Sequence, residues 1–150
     1  MPVVSLHDNL PAAAAVVGYD EIGTRKAIAQ FSVQLLTKRH GEPNGEVTLL
    51  QGVLGLDANI FGTEGFVNEM KKYPNIGIIA MTSTDWDPKK ALNTSEIYLV
   101  TYRGLDVICG VSDVRTVPTD NVVKRAGKTD QVTLVSVDGS DFAFQAVQDG

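Results

Sequence analysis

Apolar residues along this chain fall in short runs that alternate with stretches of helical spacing. The central instance is residues 46–72. Val47, Leu49 and Leu50 follow the turn-forming Glu42-Pro43-Asn44-Gly45 and read as a strand buried in a sheet. Polar and small residues come next (Gly52, Gly55, Asp57, Asn59), then a helix with Phe66, Met70 and Tyr73 on one face. The same alternation precedes and follows it. Residues 16–19 make a short strand, Asp20 caps a helix carrying Ile28, Phe31 and Leu35, and Gly41 ends that helix. The continuous apolar run 76–81 suits a parallel strand covered on both faces. Asp87 and Pro88 then open a helix with Leu92, Ser95, Leu99 and Tyr102. Residues 107–111 form another buried strand, and Pro118 kinks or restarts the helix after it. Residues 131–137 are the last strand and 142–147 begin a helix.

Strand-then-helix units in this order predict an α/β fold, a flavodoxin-like three-layer α/β/α lobe with a parallel sheet of about five strands. Residues 1–15 look different. The strand-like 2–6, the polar turn His7-Asp8-Asn9, Pro11 and the alanine run 12–15 read as a connecting hinge or linker, leaving 16–150 as a single lobe.

Composition narrows the function classes. The chain has 150 residues, one domain's worth, and its net charge of −5 without a basic run leaves no electrostatic footprint for nucleic acid. No stretch is long and apolar enough for membrane insertion, and the first twenty residues lack a signal-peptide pattern, so the chain reads as mature, cytosolic or truncated. The single cysteine, Cys109, sits inside an apolar run and reads as a small core residue. His7 and His40, the only histidines, lie in the linker and at a helix end, which offers neither a nucleophile-base pair nor a metal cluster. Gly52-Val53-Leu54-Gly55 lacks the lysine and hydroxyl residue of a phosphate-binding loop, and no lysine follows Val137 as a phospho-receiver would require. We therefore expect no catalytic residues, no metal and no organic cofactor.

The candidate chemistry lies at one edge. Successive strands deliver Asp57 and Asn59, then Asp85 and Trp86, then Ser112 and Asp113, then Asp138 to their carboxyl ends, where ligands bind in open α/β sheets. Carboxylates accept hydroxyl hydrogen bonds, an amide gives and takes them, and an indole covers a flat apolar surface, so the set suits a polyhydroxylated ring. The same residues are also common turn formers, and Asp87 and Asp138-Gly139 fit a cap and a turn.

Several motifs carry a resemblance. They are Pro2-Val3-Val4, Gly52-Val53-Leu54-Gly55, Glu64-Gly65-Phe66, Lys72-Tyr73-Pro74-Asn75-Ile76, Asp85-Trp86-Asp87, Leu105-Asp106-Val107-Ile108, Ala126-Gly127-Lys128 and Val137-Asp138-Gly139. In this order and spacing the chain resembles the carboxy-terminal lobe of a type I periplasmic binding protein, the ribose-binding-like sugar receptors of ABC transporters. The resemblance implies that Trp86 stacks on a sugar, that Asp138 binds its hydroxyls, that Ser112 stands where many members have a ligand-binding asparagine followed by Asp113, and that Asp57 and Asn59 lie in a ligand-contacting loop. Ile60 and Gly62 stand where the ribose-type loop has arginines, and His7-Asp8 replaces an Asp-Arg pair, which argues against ribose held in the ribose manner. The implied partners are a sugar or related polyol, a second lobe that this chain lacks, and an ABC permease, with a periplasmic or extracytoplasmic parent protein. Two alternatives share the pattern: the effector-sensing domain of a LacI-type transcription regulator, and a stand-alone module forming a homodimer through its exposed inter-lobe face.

Overall fold

The computed structural model describes residues 2–6, 10–18 and 20–150. Four parallel strands form the main sheet: β3 (Gly45–Gln51), β4 (Ile76–Ser83), β5 (Leu105–Gly110) and β6 (Thr133–Val135), in the order β4-β3-β5-β6. Val47 pairs with Ile78 and Val107, and Cys109 with Val135. The connecting helices are α1 (Glu21–His40), α2 (Asp57–Met70), α3 (Pro88–Thr101), α4 (Asp113–Thr116), α5 (Asp120–Arg125) and α6 (Asp141–Asp149). Two core clusters flank the sheet. Ile28, Ala29, Val33 and Leu36 of α1 and Phe66 and Met70 of α2 meet Val107 and Cys109, while Tyr98 and Leu99 of α3 and Val122 and Val123 of α5 meet Ile108. Alternate residues of β5 thus point to opposite layers, the period-2 rule that makes a three-layer lobe.

Several local predictions hold in detail. The Asp20 carboxylate accepts from the Gly23 N–H at 2.8 Å, Gly41 closes α1 at φ 81°, and Asp87 accepts from the Lys89 N–H with Pro88 in the first turn of α3. Pro118 restarts the helix: a 3-10 turn at Val117–Thr119 separates α4 from α5.

Three expectations are corrected. The main sheet has four strands because the short strand that precedes α1, β2 (Ala15–Val17), pairs in parallel with β1 (Val4–Leu6) in a separate two-stranded sheet. The strand-like reading of 2–6 is met by β1, whereas His7-Asp8-Asn9 and Tyr19 lie outside the described residues. β4 is an edge strand and only partly buried; β5, with neighbours on both sides, is the strand buried at every position. On α1 the buried face runs through Ile28, Ser32, Val33 and Leu36, leaving Phe31 51% exposed, because the Ser32 hydroxyl donates to the Ile28 carbonyl and lies 3.3 Å from the Cys109 sulfur, so a polar residue can occupy the core stripe.

Candidate functional site

The carboxyl ends of β3, β4, β5 and β6 open into loops that are tied to one another. Ser83 donates to the Gly52 carbonyl at 2.7 Å and Thr84 to the Gln51 carbonyl at 2.9 Å, fixing the loop after β4 against the end of β3. Trp86 follows. A Cβ added to Gly52 would lie 2.4, 2.6 and 2.8 Å from three adjoining atoms of the indole, distances that place it above the ring plane. The Gly52 backbone therefore rests against Trp86 where no larger residue fits.

Among the described residues the non-glycine positions with positive φ are Asp85 (50°), Trp86 (58°) and Asp138 (141°). Each such conformation costs on the order of 1–3 kcal/mol and persists only where the surroundings enforce it. All three lie at this edge.

Five of the six expected site residues divide into two groups, and Asp57 stands apart. Asn59 and Asp113 are buried and hold loops. The Asn59 side-chain oxygen accepts from the Gly52 N–H at 3.0 Å, bracing the β3 loop against α2. Asp113 accepts from the Ser136 hydroxyl, from the Gly139 and Ser140 N–H groups at 2.8 and 2.9 Å, and from the Ser140 hydroxyl at 3.0 Å. Burial pushes its pKa up, and these donors more than reverse that, holding it below the ordinary carboxylate value. Trp86, Ser112 and Asp138 gather around a residue that sequence reasoning missed. Arg115, on α4, places its guanidinium carbon 4.4 Å from the Trp86 ring centroid and donates to the Ser112 hydroxyl oxygen at 2.5 Å. Its pKa is lowered by burial, an effect opposed by the nearby Asp138 carboxylate. Asp138 in turn accepts from the Asp113 N–H at 3.2 Å. Asp57 is exposed in the first turn of α2, and no contact among the described residues places it in the Arg115 group.

A cavity of about 900 Å³ runs between β6, α5 and α6; Asp113 and Asp138 line it and Trp86 does not. Among the described residues no group of three or more His, Cys, Asp or Glu is placed to hold a metal ion. Cys109 is fully buried and its thiol is pushed up to about 12 by desolvation. The arrangement brings a stacking surface, donors and acceptors together at the rim.

A family model described as the periplasmic binding protein domain matches residues 2–150. The chain belongs to that family. Periplasmic binding protein domains bind solutes, and curated relatives of this one have sugar or polyol names. The D-allose-binding periplasmic protein of Escherichia coli (strain K12) is 27% identical over 95% of this chain and 46% of its own length. The xylitol-binding protein of Mycolicibacterium smegmatis is 27% identical over 100% of this chain and 42% of its own length. This periplasmic binding protein domain therefore spans about half the length of these curated relatives. Its fold superposes with a TM-score of 0.89, at 23% identity, on an ABC transporter solute-binding protein from Actinobacillus succinogenes 130z solved with bound D-allose, covering 100% of this chain and 54% of that one.

Proposed function

We propose that the chain is the sugar-binding lobe of an ABC-transporter substrate-binding protein, acting by binding and lobe closure rather than by chemistry. The observation that carries this reading is the gathering of Trp86, Ser112 and Asp138 around Arg115 at the carboxyl edge of the sheet. In this reading Trp86 stacks on the ring, Asp138, Ser112 and Asp57 meet hydroxyls, and Asp113 and Asn59 serve the site by fixing the loops that carry the others. The sugar and polyol names of the curated relatives support the ligand class. Residues 1–15 act as the hinge segment and 16–150 as the lobe. A second lobe supplies the opposite wall, the closed form is what the permease recognises, and the parent protein works in the periplasm or its extracytoplasmic equivalent.

A site closed between two lobes buries most of its ligand, so this chain alone binds sugars far more weakly than a two-lobed protein. The test is calorimetry on a two-lobed protein carrying this lobe, with Trp86→Ala and Asp138→Ala each expected to weaken sugar binding. Unchanged affinity in both rejects the site.

A second reading has an observation of its own. Val4, Leu6 and Val17 of the small sheet and Phe144 and Val147 of α6 are more than half exposed. Exposed apolar groups of this kind mark contact surfaces, so we infer that the isolated chain pairs with a second copy through such a face. Strict monomer behaviour in light scattering at high concentration counts against it.

A further inference from the structure

Arg115 has more hydrogen-bonding capacity than the fold uses. A guanidinium carries five N–H groups in a rigid fork. One nitrogen donates to Ser112, while Nε is shut away from solvent without a hydrogen-bond partner among the described residues. Stacking on Trp86 holds its plane. The Asp138 carboxylate is near enough to act on Arg115 through space, yet no ion pair joins them, and Asp138 accepts only from the Asp113 N–H among the described residues. A donor and an acceptor are thus anchored on adjacent residues, Arg115 on the Ser112 hydroxyl and Asp138 on the Asp113 N–H, without consuming each other.

What fits between two such groups follows from charge. A ligand carboxylate attracted by Arg115 is repelled by Asp138, and an ammonium attracted by Asp138 is repelled by Arg115. A hydroxyl suffers neither penalty, because it accepts from one and donates to the other. We infer that Arg115 is a specificity-determining residue that, together with Asp138, selects neutral hydroxyl-bearing ligands over their anionic and cationic counterparts. The inference rests on the sugar-binding reading of this edge and adds to it a residue and a charge rule.

The test uses the whole 150-residue chain, isotope-labelled for NMR, and Trp86, its single tryptophan, as reporter. Titration at high ligand concentration compares D-allose, xylitol and D-glucose with D-glucuronate and D-glucosamine. The neutral ligands shift the Trp86 indole and the Asp138 amide more than the charged ones do. Arg115→Met, which keeps the apolar stem and removes the donors, weakens neutral binding about tenfold or more and moves the preference toward D-glucosamine. Asp138→Asn moves it toward D-glucuronate. Arg115→Lys keeps the charge and the neutral preference, and decides the matter if Arg115→Met loses its dispersed spectrum. Neutral binding by wild type that is unaltered in Arg115→Met, or a wild-type preference for D-glucuronate, overturns the inference and leaves the sugar site standing. Absence of any shift around Trp86 with every ligand, in this chain and in a two-lobed protein carrying this lobe, overturns both.

Discussion

The backbone N–H of Asp113 is shared between two acceptors, the Val137 carbonyl at 3.0 Å and the Asp138 carboxylate at 3.2 Å. Because the Val137 bond satisfies that N–H by itself, the Asp138 side chain is not required to close the β6 loop. Its backbone is nevertheless held at φ 141°, a region that glycine occupies without strain. Asp138→Gly is therefore expected to leave stability within about 1 kcal/mol of wild type, or to raise it, while ligand binding falls. Thermal unfolding alongside calorimetry of the two-lobed protein separates the two effects. A large loss of stability shows that the carboxylate serves the fold instead.

Asp113 has the opposite role. Its carboxylate gathers donors from Ser136, Gly139 and Ser140 across the loop after β6, so Asp113→Ala leaves buried N–H groups unpaired and should cost about 2 kcal/mol or more. The pH dependence has a definite sign. A carboxylate whose folded pKa lies below its unfolded value of about 3.9 adds stability above that value, and loses the contribution as pH falls through the folded pKa. Denaturant melts between pH 6 and pH 3 should show wild type losing stability on acidification and Asp113→Ala losing less of it. Parallel curves refute the assignment.

The fold was legible where the chain carries its own punctuation. Asp20, Gly41, Asp87 and Pro88 mark helix ends by local hydrogen bonding and backbone geometry, so the sequence alone located α1 and the start of α3. Strand neighbours have no such local mark. β2 resembles any short apolar strand, and its pairing with β1 rather than with the main sheet is a tertiary outcome. The apolar run of β4 looks like a central strand although it lies at the edge. The meeting of Trp86, Ser112 and Asp138 at one edge was legible from their places at strand ends. Arg115 was missed because it lies inside the first turn of α4; the signal was its position three residues after Ser112, which helix geometry brings back to the same spot. The bracing roles of Asp113 and Asn59 depend on which donors the loops present, and residue type does not encode that.

Gly52 sets the position of the indole. Its replacement by alanine puts a methyl carbon 2.4 Å from a Trp86 ring atom, so the ring or the β3 loop must move. We expect Gly52→Ala to cost about 1–3 kcal/mol and to shift the tryptophan emission of the folded protein, which reports on Trp86 alone. An unchanged spectrum with unchanged stability shows that Trp86 does not rest on Gly52 in solution.

Cys109 should be chemically silent while the protein is folded. It is fully buried against Ser32, and its thiol is pushed up to about 12, so almost no thiolate is present at pH 8 and none is accessible. Thiol-reactive reagents are expected to label it only on unfolding, at a rate that follows denaturant concentration. Fast labelling under native conditions disproves the packing of β5 against α1.

The apolar face of α6 gives the isolated chain a specific weakness. No residue of α6 is buried, although Phe144 and Val147, three residues apart on one face, are exposed by 61% and 83%. A helix with an apolar stripe gains stability by covering that stripe, and here the space beside it is the open cavity along β6. The small sheet also exposes apolar side chains, but its three-residue strands present less area. Concentration-dependent association should therefore run through α6. Val147→Glu with Phe144→Glu removes the stripe without emptying any core position, so sedimentation should show association falling while the melting temperature stays within a few degrees of wild type. Association that persists in the double variant assigns the contact to another face, and a collapse in melting temperature shows that these side chains are buried in solution.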